Sequence, residues 1–268
     1  MPDDGRDELR RRVAEMGWYH SIDLGDGIVT PGAVPVDFIP DDLLPGFAGR
    51  SVLDVGAWDG GNAFRAERLG ASRVVALDHY VWGVDIHSRQ LYWDDCATRG
   101  VLPDHSLDES KFWNDSLPGR AGFDLAAAAL GSSVEPVVAD FMKVDLETIG
   151  SFDVVLYLGV LYHMQEPLTA LTRVRQVTRH VAVIETEAVA IRRHSTDSLL
   201  MFLAGNSLRR DFGNWYLPTE QALHDLCRAA GFSSVETRRG LSWSKPRSAA
   251  KRVLRSVSQY RILVHAYV

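Results

Sequence analysis

Cysteine is scarce in this chain. Cys96 and Cys227 are the only two among 268 residues, and their spacing is not that of a zinc site, so neither a disulfide framework nor a structural metal is expected. The histidines and acids show no ligand spacing either, and the expected metal complement is none. No apolar run approaches the ~18 residues that would cross a bilayer. The charged N-terminal stretch is unlike a signal peptide, so the expectation is a soluble cytoplasmic protein with no membrane partner. Positive charge is also in deficit: the formal net charge is −6, whereas nucleic-acid binding leaves a basic footprint. Internal repeats and low-complexity tracts are missing. The remaining composition, 46% hydrophobic and 24% charged, is that of a globular protein, long enough for one α/β domain with embellishments.

The most informative stretch is Ser51–Asp78, SVLDVGAWDGGNAFRAERLGASRVVALD. SVLDV is an apolar run of the kind buried in a parallel sheet, and Gly56 and Gly60 make a turn where backbone must lie close to a ligand. A helical segment from Asn62 to Leu69 leads to a second buried strand, RVVAL, which closes on Asp78. An acid at the end of a second parallel strand suits a ribose, because one carboxylate can accept from both vicinal hydroxyls. The turn lacks the G-x-G-x-x-G of a dinucleotide site and places Asp59 where a pyrophosphate would be repelled. An acidic turn suits a cationic, phosphate-free nucleoside such as S-adenosylmethionine.

These residues resemble motif I of the class I methyltransferases, usually G-x-G-x-G, with Trp58 in place of the middle glycine. Two further segments follow in order. Glu135–Phe141, EPVVADF, looks like the third strand with the Asp-Phe pair that contacts adenine in these enzymes, and Ser151–His163, SFDVVLYLGVLYH, looks like the fourth, whose end faces the transferring methyl group. The runs Gly159–Leu168 and Trp18–Gly32 are similar to the subfamily that includes the tRNA wobble-uridine carboxymethyltransferases and bacterial enzymes that methylate antibiotic sugars. The resemblance extends from about Trp18 to about Glu236.

The fold this implies is α/β and Rossmann-like: a mostly parallel seven-stranded sheet with a C-terminal antiparallel hairpin, an N-terminal cap and lid insertions. The implied cofactor is S-adenosylmethionine, with S-adenosylhomocysteine as product. The implied contacts are Tyr19, His20, Gly56, Ala57, Trp58, Gly60, Asp78, His79, Asp140, Phe141 and Leu158. Residues 1–49 read as the cap and 50–268 as the core, with a lid at 81–118 and a substrate-side excursion at 192–218. The lid exceeds an ordinary βα connection several-fold, as binding loops do. After a fifth strand, HVAVIETEA, and a helix over Thr219–Gly231, Ser233–Arg238 and Gln259–Tyr267 alternate as strands of the closing hairpin.

Methyl transfer from a sulfonium asks the protein mainly to align donor and acceptor. A hydroxyl acceptor benefits from a general base, whereas an amine needs only to arrive unprotonated. His163 is the first candidate base, with Tyr162 beside it to position the donor or acceptor; alternatively the pair shapes the cofactor pocket. His20 is a second candidate base, or a hydrogen-bonded histidine holding the cap closed. Asn214, Trp215 and Tyr216 precede the Thr219 helix, where the aromatic pair packs against a sugar ring or anchors the excursion. Glu185, like Glu187, ends the fifth strand and either binds a cationic acceptor or is capping and solvated. Trp82 covers substrate or adenine, or fills the hinge of the lid.

Between Gly83 and Pro118 the lid carries seven acids against three bases, which favours a cationic partner. The leading expectation is methylation of an amine or hydroxyl on a small sugar-bearing molecule in antibiotic biosynthesis, most sharply an aminosugar or aminoglycoside amine. A second is modification of the tRNA wobble uridine by methyl or carboxymethyl transfer, with basic Lys245–Arg255 as the contact. A third is a non-catalytic nucleoside-binding protein. Carboxymethyl transfer needs a cation beside the sulfonium, and Met164-Gln165 follows Tyr162-His163 where one would stand, so plain methyl transfer is favoured.

Overall fold

The computed structural model describes residues 3–194, 196–203, 205–209, 211–241 and 257–268; the basic segment Lys245–Arg255 lies outside them. Along the chain run helix α1 (Asp3–Ala14), strand β1 (Ser51–Val55), α2 (Gly61–Arg68), β2 (Arg73–Asp78), α3 (Ile86–Arg99), α4 (Ala121–Leu130) and β3 (Glu135–Val138). They are followed by β4 (Phe152–Leu158), α5 (Pro167–Val177), β5 (Thr178–Ile191), α6 (Glu220–Ala229), β6 (Ser234–Arg238) and β7 (Val257–Tyr267). The seven strands take the order β6-β7-β5-β4-β1-β2-β3, the mostly parallel sheet with a closing antiparallel hairpin that the resemblance implies.

The chain divides into two compact units. The first comprises Met1–Phe38, Gly46–Leu91 and Asp104–Lys143. Its parallel strands β1 and β2 carry apolar runs in which Val52, Leu53 and Val74–Leu77 are buried, as strands covered on both faces require, while β3 is a short, mostly exposed edge strand. The turn into α2 is set by Gly60, at φ +82°, where a Cβ would lie 2.5 Å from the ring of Phe64. β3 is the strand expected in EPVVADF, with the Asp-Phe pair after it. It ends at Val138, and Asp140 starts a turn by accepting from the Met142 N–H at 2.9 Å.

The second unit comprises Ile39–Pro45, Tyr92–Pro103 and Val144–Val268. β4 and β5 run parallel through a core of Val154–Tyr157 and Val181–Ile184, and β7 pairs antiparallel with β5 over its whole length. α6 begins where the Thr219 hydroxyl accepts from the Ala222 N–H, and it buries Ala222, Leu223 and Cys227. Within the excursion, Leu200–Phe202 and Tyr216–Pro218 form a short antiparallel ribbon.

The stretch read as a lid is helical in part, through α3 and Leu107–Ser110. Its acids are occupied locally. Asp85 and Asp104 hold Ser88 and Ser106, Asp95 pairs with Arg99, Glu109 with Lys143, and Asp115 accepts from the Trp113 indole. Asp108 is buried against Tyr80. Hydrogen bonds from Ser88, Ser106 and the Trp113 indole satisfy these oxygens without cancelling their charge, so the excess of seven acids over three bases in the stretch remains.

Candidate active site

Ligands in open α/β sheets bind at the carboxyl ends of the strands. In the first unit that edge presents Asp78 and the turn after β1. Asp78 Oδ2 accepts from the Trp58 N–H at 2.9 Å and Oδ1 from the Val81 N–H at 3.1 Å. Burial pushes its carboxyl up to about 6, and the surrounding peptide N–H groups limit the rise. The peptide N–H groups of His79 and Trp82 also face this buried carboxylate.

Trp58 occupies the glycine-like position at φ +51°. Such a conformation costs a side-chain-bearing residue about 1–2 kcal/mol. Trp58 is held there by the Asp78 bond, by the Trp82 indole donating to its carbonyl at 2.6 Å, and by stacking on Tyr19 with centroids 4.4 Å apart. Trp82 is therefore a fully buried support of the turn. Gly56, at φ +77°, is exposed and leaves its backbone open at the edge.

Asp59 does not present its charge to a ligand. It accepts from the Tyr19 N–H at 2.8 Å, the His20 N–H at 2.7 Å and the His20 ring, fastening the N-terminal cap to the turn. His20 is buried, its Nδ1 on Asp59 and its Nε2 3.4 Å from the Asn62 amide, the arrangement of a residue that holds the cap closed. The acid with an open valence is Asp54, inside β1. Its Oδ2 is buried without a hydrogen-bond partner, and burial pushes its carboxyl up to about 7.

Around this edge Ala57 donates to the Leu77 carbonyl, His79 stacks on Trp113 with centroids 4.5 Å apart, and Phe141 is buried beside the half-buried Asp140.

In the second unit, Leu158 ends β4 and Leu161–His163 forms one 3-10 turn with Tyr162 buried. His163 Nδ1 lies 2.8 Å from the Gly213 carbonyl. A carbonyl only accepts, so Nδ1 carries a proton, and in the neutral imidazole the lone pair is on Nε2. The excursion is also tied to this turn by the Trp215 N–H, which donates to the Tyr162 carbonyl at 2.8 Å. Trp215 and Tyr216 are half-buried beside exposed Phe202, with ring centroids 6.5 and 5.6 Å from it.

Glu185, fully buried, is gripped by Arg261 through both carboxylate oxygens, and Glu187 is paired with Arg209. Arg261 stands directly across from Glu187 in the β5–β7 register, and its guanidinium carbon is 5.7 Å from the Tyr162 ring centroid. The Glu185 carboxylate thus meets an internal cation, and Asn214 braces the excursion through the Leu208 and Asp211 carbonyls at 3.1 Å.

The methyltransferase domain family matches residues 35–237. The chain belongs to this family. As a class I methyltransferase it uses S-adenosylmethionine, and the first unit places two acids that fit it, Asp78 at the end of β2 and Asp54 with a buried oxygen that has no hydrogen-bond partner among the described residues. Similar proteins include the tRNA U34 carboxymethyltransferase of Alteromonas mediterranea, 24% identical over 187 residues, which are 70% of this chain and 46% of that one. Its counterpart in Idiomarina loihiensis is 25% identical over 195 residues, 73% of this chain and 48% of that one. The methyltransferase chain thus spans about half the length of the curated relatives it matches. Among solved structures, the N-terminal domain of EvdMO1 in the presence of SAH and D-fucose is similar with a TM-score of 0.62 at 20% identity, covering 100% of this chain and 98% of that domain. That likeness shows a common fold.

Sequence reasoning missed Asp54, Arg261, Arg209 and the Gly213 carbonyl. Asp54 and Arg261 had a signal, since each is a charge set inside an apolar strand, SVLDV and YRILV. Arg209 and Gly213 had none, because their partners are distant in sequence.

Proposed function

We propose that this methyltransferase acts on a small sugar-bearing acceptor at an amine or hydroxyl, most sharply an aminosugar amine. The observation that carries this reading is the fastening of the aromatic excursion to the Tyr162–His163 turn, by Trp215 N–H to Tyr162 O and His163 Nδ1 to Gly213 O, both 2.8 Å. One backbone connection thereby joins a histidine with a lone pair on Nε2 to the half-exposed rings of Trp215 and Tyr216, a surface on which a sugar's apolar face packs.

S-adenosylmethionine supplies, when bound, a methyl group on a sulfonium. Asp78 holds the ribose hydroxyls, and Asp54 offsets the positive charge. His163 Nε2 takes the acceptor's proton, Tyr162 positions the acceptor, and Trp215 and Tyr216 orient the ring. The end-to-end match to a domain solved with D-fucose supports a sugar. The second reading, wobble-uridine modification, is favoured by the curated relatives. Against its carboxymethyl form, the cation near Tyr162 is already spent: Arg261 is neutralised by Glu185 and Glu187.

Label transfer from methyl-labelled S-adenosylmethionine tests this, with pooled aminosugar compounds in one reaction and unmodified bulk tRNA in another. The expected result is label in the sugar pool. Label in tRNA alone would overturn the reading.

A further inference from the structure

Glu187 is buried within β5, two residues beyond Glu185, whose carbonyl accepts from the Gly159 N–H at 2.9 Å just past the end of β4. Its neighbour Arg261 gives its two close bonds to Glu185 and stands 3.4 Å from Glu187. The closer counter-charge for Glu187 is Arg209, on a turn of the excursion, whose side chain is 54% exposed. Arg209 sits at φ +55°, a conformation that side-chain-bearing residues rarely adopt. A buried carboxylate on a rigid strand is thus neutralised by a half-exposed guanidinium on a strained turn.

The same turn supplies an independent observation. Asn214 Nδ2 cinches it through the Leu208 and Asp211 carbonyls, while Asn214 Oδ1, on a residue only 3% exposed, has no hydrogen-bond partner among the described residues. A buried acceptor with no donor calls for one from outside the described residues.

We propose that Glu187 selects acceptors bearing a protonated amine, and that Arg209 is the stand-in cation which that amine displaces. The inference rests on the reading of a small sugar-bearing acceptor and names its charge. Glu185, Glu187, Arg261 and Arg209 sum to zero. An ammonium in place of Arg209 keeps that sum, whereas a neutral hydroxyl would leave a buried carboxylate undercompensated, which is strongly unfavourable. An ammonium also carries three donors, enough to satisfy the oxygens that Arg209 would release on Glu187. The recognised ammonium is distinct from the methylated atom, since a protonated nitrogen has no lone pair to give.

The test is the melting temperature of Arg209→Ala with glucosamine, N-acetylglucosamine or glucose added. Glucosamine alone is expected to raise it by about 2–4 °C, and the Glu187→Gln/Arg209→Ala double variant is expected to show no rise. The absence of an amine-selective rise, or an equal rise in the double variant, would overturn the proposal. Should Arg209→Ala fail to fold, the parent against Glu187→Gln gives the same contrast: glucosamine stabilises the parent only. Label transfer separates the two claims. Amine-selective stabilisation without label in any sugar would remove the acceptor reading and keep Glu187 as a cation site. Label in neutral sugars without such stabilisation would do the reverse.

Discussion

Each unit places two acids in its central strands, Asp54 and Asp78 in the first and Glu185 and Glu187 in the second, where β5 continues past them to Ile191, and their surroundings are opposite. Asp78 is held by peptide N–H groups and Asp54 keeps an oxygen without a partner, so burial raises their carboxyls to about 6 and about 7. Glu185 and Glu187 are bracketed by guanidinium groups from β7 and the excursion. The first pair keeps its charge in reserve, as a site for a cationic nucleoside requires. The second is neutralised from within, and among the described residues its solvent-exposed partner is Arg209.

The contrast is broken most severely at Arg261. Arg261→Met leaves two buried carboxylates and should cost about 3–5 kcal/mol in urea unfolding, with much of the loss recovered when Glu185→Met accompanies it. Equal stability of parent and single variant would mean that the second pair is not held by this cation.

The role of the second unit is sharpened at His163. With a hydroxyl acceptor, His163→Gln should lower kcat by about 10²-fold and flatten the acidic limb of the pH–rate profile, with KM little changed. With an amine acceptor assayed above its own pKa the loss should be small, so the same variant separates the two acceptor chemistries.

The first unit makes a pH prediction. Asp54 and Asp78 retain protons in the folded protein up to about pH 7 and about pH 6, whereas in the unfolded chain they release them near pH 4. Stability of the free protein therefore falls as pH rises through that window, because the unfolded state binds fewer protons. A cationic ligand favours the ionised acids, so S-adenosylmethionine affinity should rise with pH by up to ~10-fold per unit for one linked proton and level off above about 7. Calorimetric titration in buffers of different protonation enthalpy would register the released proton, and Asp54→Asn should remove the part nearest neutrality. The smallest effect concerns neither pair: Thr219→Ala removes the α6 cap and should cost about 1 kcal/mol in thermal unfolding, with kcat unchanged.

Much of this was legible in the chain because it is written locally. Apolar runs marked β1, β2, β4 and β5, the glycines at 56 and 60 marked the turn, and Thr219 and Gly231 marked the ends of a helix. The acid closing RVVAL pointed to a nucleoside. What stayed hidden depends on partners far apart in sequence. Asp59 reads as an acidic turn facing a ligand until His20 is found 39 residues upstream to occupy it. Glu185 reads as an open carboxylate until Arg261 closes on it from 76 residues away. Burial makes Asp54 more telling than any of the lid's acids.

The central claim is tested most directly by equilibrium binding of S-adenosylmethionine to the parent and to Asp78→Ala at pH 7.5. Losing a carboxylate that hydrogen-bonds a ligand is worth about 1.5–3 kcal/mol per bond, so the variant should bind at least ~10-fold more weakly, and ~100-fold if both ribose hydroxyls depend on it. Equal affinity of the two proteins would contradict the assignment of Asp78, and with it the nucleoside site of the first unit.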